Sequence, residues 1–512
     1  MRHWTPGRDP RAVRHPGPAP AASPASDAPA RPSVVVVGGG IAGLAAATGL
    51  AERGVSVRLL EAQATLGGRV RAWPVTLPGG DRVTMSRGFH AFFRQYYNLR
   101  ALLRRADPAL DRLVAIDDYP LRLADGPTDS FTHLPLTPPW NLIGFVAKSP
   151  SFTLAGLAKV NVKAALGLVS VEFPRTFGDL DGVSAAEVLD RLNFPASARH
   201  LALEVFARSF FADPREFSGG ELLGMFHTYF VGSSEGLLFD VPNDDYDTAL
   251  WAPLGRRLER LGAEVATGVR VEGLTRTDAG VRVATSAGDV EADAVVLAVD
   301  VAGLRRLVAD APWLGTPDWR ERIADLRNAP PFGVARRWLG APAGGASWGQ
   351  SGGQSGVAPF LGTSGYGPLD NLSRLDAFEA GAAAWASRTG GTVIEAHGYA
   401  LADTTNARER LWAEASRIHP ELADAPVLGE QWLVADDCPL VDTSPWRRRP
   451  EVATPDRRVV LAGDLVRCDF PVALMERAAT TGWQAANALL SGWGRRGFDL
   501  WSPPMRGRFT RR

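Results

Sequence analysis

Three glycines, Gly38, Gly40 and Gly43, form a G-x-G-x-x-G pattern directly after the β-branched run Val34 to Val37. A second apolar run, Val55 to Leu60, ends on an acid, Glu61. This spacing suits capture of a dinucleotide pyrophosphate. Gly38 permits a tight turn, Gly40 lets the backbone approach the phosphates, and Gly43 lets a helix pack close to the strands. Ile41 and Ala42 fall in the first turn of that helix, whose free N–H groups and positive dipole end favour phosphate. Glu61 stands where an acid accepts hydrogen bonds from a ribose hydroxyl. A bare glycine turn is the alternative. It is disfavoured because strand, helix, second strand and acid fall in register within one βαβ unit.

Leu66-Gly67-Gly68-Arg69-Val70 follows the second run. A nicotinamide domain has no need of it, whereas a second glycine pair with a planar, permanently charged Arg69 suits the pyrophosphate and flavin of FAD. Near the other end, the apolar run Val459 to Ala462 leads into Gly463-Asp464, and a helical pattern begins near Pro471 and continues to about Leu490. The arrangement resembles the flavin-containing amine oxidase and carotene desaturase superfamily. The resemblance implies that Gly463 and Asp464 bind the ribityl chain and that the following helix, with Met475 near its start, aims its positive end at the flavin. Such a dipole favours hydride acceptance. It also implies that the backbone of a strand near Val269 to Val271, Val271 above all, meets the adenine.

The elements needed to position these residues define an α/β fold. We expect a Rossmann-type FAD-binding domain with an inserted α+β substrate domain. The FAD-binding domain is assembled from 33–100, 250–303 and 455–495, and the substrate domain from 101–249 and 304–454. Residues 1–32, rich in Pro, Ala and Arg, read as a disordered tail, and 496–512 as a C-terminal tail. Basic and acidic residues balance at 56 each, which gives no reason to expect nucleic acid as a partner. Cys438 and Cys468 form no CxxC pair and point to a reducing compartment. The eight histidines lack metal spacing, so no metal is expected. No apolar run reaches transmembrane length.

All three lysines, Lys148, Lys159 and Lys163, sit in the otherwise apolar stretch 140–171. Apolar residues, an edge tryptophan and snorkelling lysines suit a segment lying in a membrane interface. A helical lid over the substrate pocket fits equally, and one segment can be both. The expected location is cytoplasmic, peripheral on the inner membrane face.

Residues 84–99 narrow the resemblance. Gly88, His90, Phe92, Phe93, Tyr96 and Asn98 match the G-x-H-x-F-F-x-x-Y-x-N pattern of plant- and cyanobacterial-type carotene desaturases, and the stretch 211–218 resembles another of their segments. Longer stretches, at 84–100, 204–218, 232–242, 360–371 and 462–482, resemble bacterial carotenoid-ring desaturase/methyltransferases of the isorenieratene synthase type. The resemblance implies a β-carotene-like substrate whose β-ionone rings become aromatic. A ring with two methyls on one carbon cannot aromatise by hydrogen loss alone, so one methyl must shift to its neighbour. Two hydrogen pairs leave each ring, and an electron acceptor, unidentified in this sequence, must take the electrons.

Aromatic faces suit a cationic intermediate, and Phe89, Phe92, Phe93, Tyr96 and Tyr97 are the available supply, with a plain hydrophobic core as the other reading. His90 is the candidate base for proton loss, against a buried structural histidine; Asp437 and Asp469 are weaker candidates. Two positions depart from the pattern. Ser86 replaces an acid common in relatives, so that acid's role is absent or supplied elsewhere. Arg477 replaces a glycine near the flavin and is read either as stabilising reduced flavin or as pointing to solvent. Flavin is expected to be non-covalent despite Cys438. The rival readings are a desaturase or isomerase of a linear polyene, an amine oxidase, and a carotenoid-binding flavoprotein without catalysis.

Overall fold

The computed structural model describes residues 9–20, 31–202, 210–342 and 359–507 of the 512-residue chain. Its centre is a five-stranded parallel sheet in the order Glu264–Thr267, Ser56–Glu61, Ser33–Val37, Ala294–Leu297, Val459–Leu461. Both faces of the sheet are covered, which is why its middle strands are uninterrupted apolar runs rather than alternating ones. The helix Ile41–Ala51 is buried along its whole length, so alanine and glycine fill it on every side. It packs against the long helix Leu474–Gly492. A side chain at Gly482 would come within 2.3 Å of Ala42 O, so glycine sets this close crossing.

A second sheet has seven strands, ordered Val427–Ala435, Phe332–Leu339, Thr392–Gly398, Leu369–Arg374, Phe360–Tyr366, Leu121–Leu123, Thr128–Asp129. Its pairs are antiparallel except that between Phe360–Tyr366 and Leu121–Leu123. It draws on both stretches assigned to the substrate domain. A small sheet of Phe92–Phe93, Phe239–Pro242 and Leu113–Ala115 ties the G-x-H-x-F-F segment to the inserted region.

The reading of 1–32 as a tail without structure is corrected for residues 9–20. Val13–His15 pairs antiparallel with Leu500–Ser502. The carboxylate of Asp9 accepts from Tyr97 Oη at 2.9 Å and from Ser233 Oγ at 2.8 Å, and the His15 ring stacks on Phe470 at 4.0 Å. Composition misled here because a three-residue strand needs only a free edge to pair with, and the other chain end supplies it. The rest of that tail, residues 1–8 and 21–30, lies outside the described residues, as do 508–512. Among the described residues no helix is long and apolar enough to cross a membrane.

Candidate active site

One cavity of about 500 Å³ runs from the glycine-rich end of the parallel sheet to the face of the inserted sheet. At the first end it is bordered by Gly38, Gly40, Ile41 and Ala42, by Glu61, and by Gly67, Gly68 and Arg69. Val271, first residue of the strand Val271–Arg276, also borders it, as do Gly463, Asp464 and Met475 from the C-terminal side. Gly43 lies beneath, and a Cβ there would sit 1.9 Å from Gly38 O, so its role is close packing rather than contact. Gly67, with φ of 105°, turns against the Trp251 indole, whose Nε1 donates to Val70 O at 2.6 Å.

The charges at this end are held in place. Glu61 accepts from the backbone N–H groups of Gly39 and Gln63, each at 2.7 Å. Arg69 pairs with Asp464. Burial opposes the Arg69 charge, but the Asp464 carboxylate outweighs it and holds the guanidinium well above its ordinary value. The long helix begins at Leu474, three residues later than its pattern suggests: Ala473 is extended, and Pro471 O accepts from Thr228 Oγ1 at 2.5 Å.

Towards the inserted sheet the walls become aromatic. Phe89, Phe93 and Tyr96 border the cavity, together with Tyr229 and Phe239. Tyr96 and Tyr229 share a hydroxyl hydrogen bond of 2.7 Å, and Phe93 lies 4.5 Å from the Tyr229 ring. Phe92 does not face the cavity. It is 1% exposed and belongs to the hydrophobic core, since neighbours on a strand point to opposite faces. Tyr97 turns away as well, towards Asp9.

His90 borders the cavity, and its Nδ1 lies 2.9 Å from Gly88 O. A carbonyl only accepts, so Nδ1 carries the hydrogen and Nε2 the lone pair. Burial pushes this imidazole down to about 4, against the pull of the Gly88 carbonyl. The ring is therefore neutral at neutral pH, with the Nε2 lone pair free. Of the weaker candidates, Asp437 is paired with Arg87, and Asp469 is exposed and does not border the cavity.

The expectation that Arg477 points to solvent is corrected. It is buried, and its Nη2 donates to Glu221 Oε2 at 2.5 Å and to Val472 O at 2.8 Å. Neighbouring Glu476 accepts from Asn98 N and Leu99 N at 2.8 and 2.9 Å, so the Asn of the 88–98 motif locks two segments together.

Sequence reading missed a polar group of the inserted sheet, Asp370, His397 and Tyr399, which borders the same cavity. Its one signal was the alternation Glu395-Ala396-His397 within an apolar strand.

The stretch 140–171 forms short helices, Trp140–Lys148, Leu154–Leu157 and Val162–Val169. Trp140 is 62% and Leu154 88% exposed, and Ile143, Val162 and Leu166 are also exposed. On the opposite side Phe145 stacks at 5.1 Å on Phe131, which borders the cavity.

The profile of the flavin containing amine oxidoreductase family matches residues 41–490, and the chain belongs to that family of enzymes. It is 52% identical over 506 residues to a carotenoid phi-ring synthase of Streptomyces griseus, covering 98% of this chain and 95% of the relative. A carotenoid phi-ring synthase of Chlorobaculum tepidum is 26% identical, covering 93% of this chain and 91% of its own. Among solved structures, a cofactor-binding variant of putrescine oxidase aligns with a TM-score of 0.63 at 16% identity, covering 90% of this chain and 99% of its own. That likeness speaks to the fold.

Proposed function

We propose that this chain is an FAD-dependent oxidoreductase of carotenoid biosynthesis that makes the β-ionone rings of a β-carotene-like substrate aromatic, with 1,2-methyl migration. The observation that carries the reading is one continuous cavity, which joins a dinucleotide cradle to an aromatic chamber that the neutral imidazole of His90 borders. The names of the two relatives described above support the substrate class.

The cradle fits FAD. Gly40 and Gly68 oppose each other with bare α-carbons, and the first turn of the Ile41–Ala51 helix opens between them and Glu61. When bound, FAD supplies the hydride acceptor. The chain supplies the rest. Phe89, Phe93, Tyr96 and Tyr229 exclude water and offer negative ring faces to a ring cation before and after its methyl shift. His90 Nε2 takes the proton that leaves as each double bond forms. Per ring, four hydrogens depart, two as hydride and two as protons. Two electron pairs leave each ring with the hydrides, and an external acceptor would have to take them.

The exposed apolar side chains on 140–166 form the contact with the membrane surface in this reading, with the protein peripheral on the cytoplasmic face. The inner side of the same helices lies next to the aromatic chamber, which suits uptake of a lipid-dissolved substrate.

Expression in a bacterial host already making β-carotene tests the proposal. The expected pigment is lighter by four hydrogens per modified ring and carries aromatic methyl signals. Unchanged β-carotene beside flavin-loaded protein overturns it, and products of a linear polyene with no moved methyl favour the desaturase or isomerase instead.

A further inference from the structure

The turn that carries His90 is held from outside its own segment. It leaves the strand Arg82–Ser86 and passes through Gly88, whose φ of 94° is left-handed. A side chain at Gly88 would meet Val334 Cγ2 at 3.0 Å and His397 Nε2 at 3.1 Å, so the turn is pressed against the inserted sheet.

Residues of that sheet grip it. Arg336 Nη1 donates to Thr84 O at 2.6 Å, and Nη2 donates to Ser86 Oγ at 2.7 Å. Ser86 Oγ also accepts from Gly88 N–H at 3.2 Å. Glu395 Oε2 accepts from Arg336 Nε at 2.8 Å, while Glu395 Oε1 lies 2.7 Å from His397 Nε2. A carboxylate only accepts, so His397 Nε2 donates to Glu395, and the Phe89 N–H 3.4 Å away packs against the ring rather than bonding to it. Ser86, Arg336, Glu395 and His397 are all 2% exposed or less.

Ions this deep cost several kcal/mol each unless paired and fully hydrogen-bonded. An apolar join between strands would avoid that cost, but it would not fix a carbonyl direction. Gly88 O accepts from Tyr246 Oη at 2.9 Å and faces His90 Nδ1 at the same distance, so the direction of this one carbonyl decides which ring nitrogen of His90 carries hydrogen. The serine at 86 fits the same scheme. A carboxylate there would compete with Glu395 for Arg336, whereas a hydroxyl accepts from Arg336 and leaves its charge to Glu395.

We propose that Arg336, Glu395 and His397 are positioning residues, holding the Ser86–His90 turn so that Gly88 O keeps His90 in the Nδ1–H form with Nε2 free to accept a ring proton. The proton-acceptor part rests on the proposed function; the grip on the tautomer does not.

The test uses full-length, FAD-loaded protein and the variants Glu395→Gln and Ser86→Ala, with ¹⁵N-histidine spectra, flavin content and β-carotene turnover as readouts. The His90 signal is assigned by its loss in His90→Gln. The expected wild-type signal is a single Nδ1–H tautomer. In the variants it becomes a mixture, flavin content stays equal, and kcat falls about tenfold or more while KM stays within about twofold. Glu395→Asp, which keeps the charge, recovers part of the loss. An unchanged His90 signal, or kcat per bound flavin equal to wild type, overturns the proposal and leaves these residues a purely structural role. If Glu395→Gln does not fold, Ser86→Ala decides, because it deletes one oxygen. If wild-type protein leaves β-carotene untouched, the functional reading fails, and the spectra alone decide whether the grip sets the tautomer.

Discussion

Arg477 lies within hydrogen-bonding distance of Glu221, and that carboxylate pairs at the same time with Arg449. The contact joins the helix Leu474–Gly492, whose first turn borders the cavity, to the helix Gly219–Phe226 of the inserted region. A bulky cation therefore stands near the cavity without lining it, its guanidinium turned to a carboxylate of another helix.

The two partners of this contact differ in what their removal leaves behind. Glu221→Ala strands the buried guanidinium of Arg477 and the partly buried one of Arg449 and is expected to cost about 3 kcal/mol. Arg477→Met leaves Glu221 with Arg449 and is expected to cost less. Burial works against the Glu221 charge, but the two arginines outweigh it and hold the carboxyl below its ordinary range. Its contribution is therefore present above the unfolded carboxyl value and lost as pH falls through the folded one. Urea denaturation of both variants at pH 7 and pH 4 checks the order and the sign.

Acid sensitivity is also expected from the histidines. Burial pushes His90, His227 and His419 each down to about 4. Between that value and the unfolded value of about 6.5, the unfolded chain binds more protons than the folded one, so stability rises with pH across this window. The urea midpoint should drop as pH falls from 6.5 towards 4.5, and His90→Gln should flatten the slope. In catalysis the neutral imidazole persists to about 4, so the acid limb of kcat/KM should lie near there. A limb near 6.5 would count against His90 as the base.

Gly43 is expected to be indispensable for cofactor binding although it touches no ligand. A methyl there would collide with Gly38 O, a backbone atom that cannot yield without moving the turn. Gly43→Ala should elute from desalting without flavin absorbance. Gly167→Ala, where a Cβ meets nothing within 4 Å, should retain it.

What could be read from the chain alone follows the range of the forces involved. The Gly38–Glu61 unit is local, since its turn, helix and acid lie in one strand–helix–strand segment, so spacing exposed it. The parity of Phe92 and Phe93 depended on which face of a two-residue strand meets the cavity, and composition carries no trace of that. The destination of Arg477 depended on Glu221, 256 positions away in the chain. Arg336, Glu395 and His397 lie on largely apolar strands, and their meaning emerges only when the sheet docks on Ser86. The strand Val13–His15 became legible only through its pairing with Leu500–Ser502.

Cys438 borders the cavity near Arg69 and Asp437, yet burial pushes its thiol up to about 11, against the pull of Arg69. A thiol that stays protonated is a poor nucleophile. Acid precipitation should therefore release the flavin into the supernatant, and Cys438→Ser should keep the same flavin content. Flavin retained on the pellet, and lost from it in Cys438→Ser, would reverse this expectation.

The exposed side chains of Trp140, Ile143 and Leu154 give the last prediction, because they separate a membrane contact from a mere lid. If they dip into an interface, each apolar-to-glutamate change removes buried area and sets a negative charge beside the headgroups. Sedimentation with anionic vesicles should then weaken by about tenfold or more per substitution. Lys148, Lys159 and Lys163 should make the binding salt-sensitive, since screening shortens their reach to about 10 Å at 0.1 M salt. Phe145, on the inner side, should behave differently: Phe145→Ala opens space beside Phe131 and should impair turnover while leaving sedimentation unchanged. A helix that only lids the cavity would show the Phe145 effect and no vesicle binding at all. Vesicle binding that survives all three glutamates would place the membrane contact on another face.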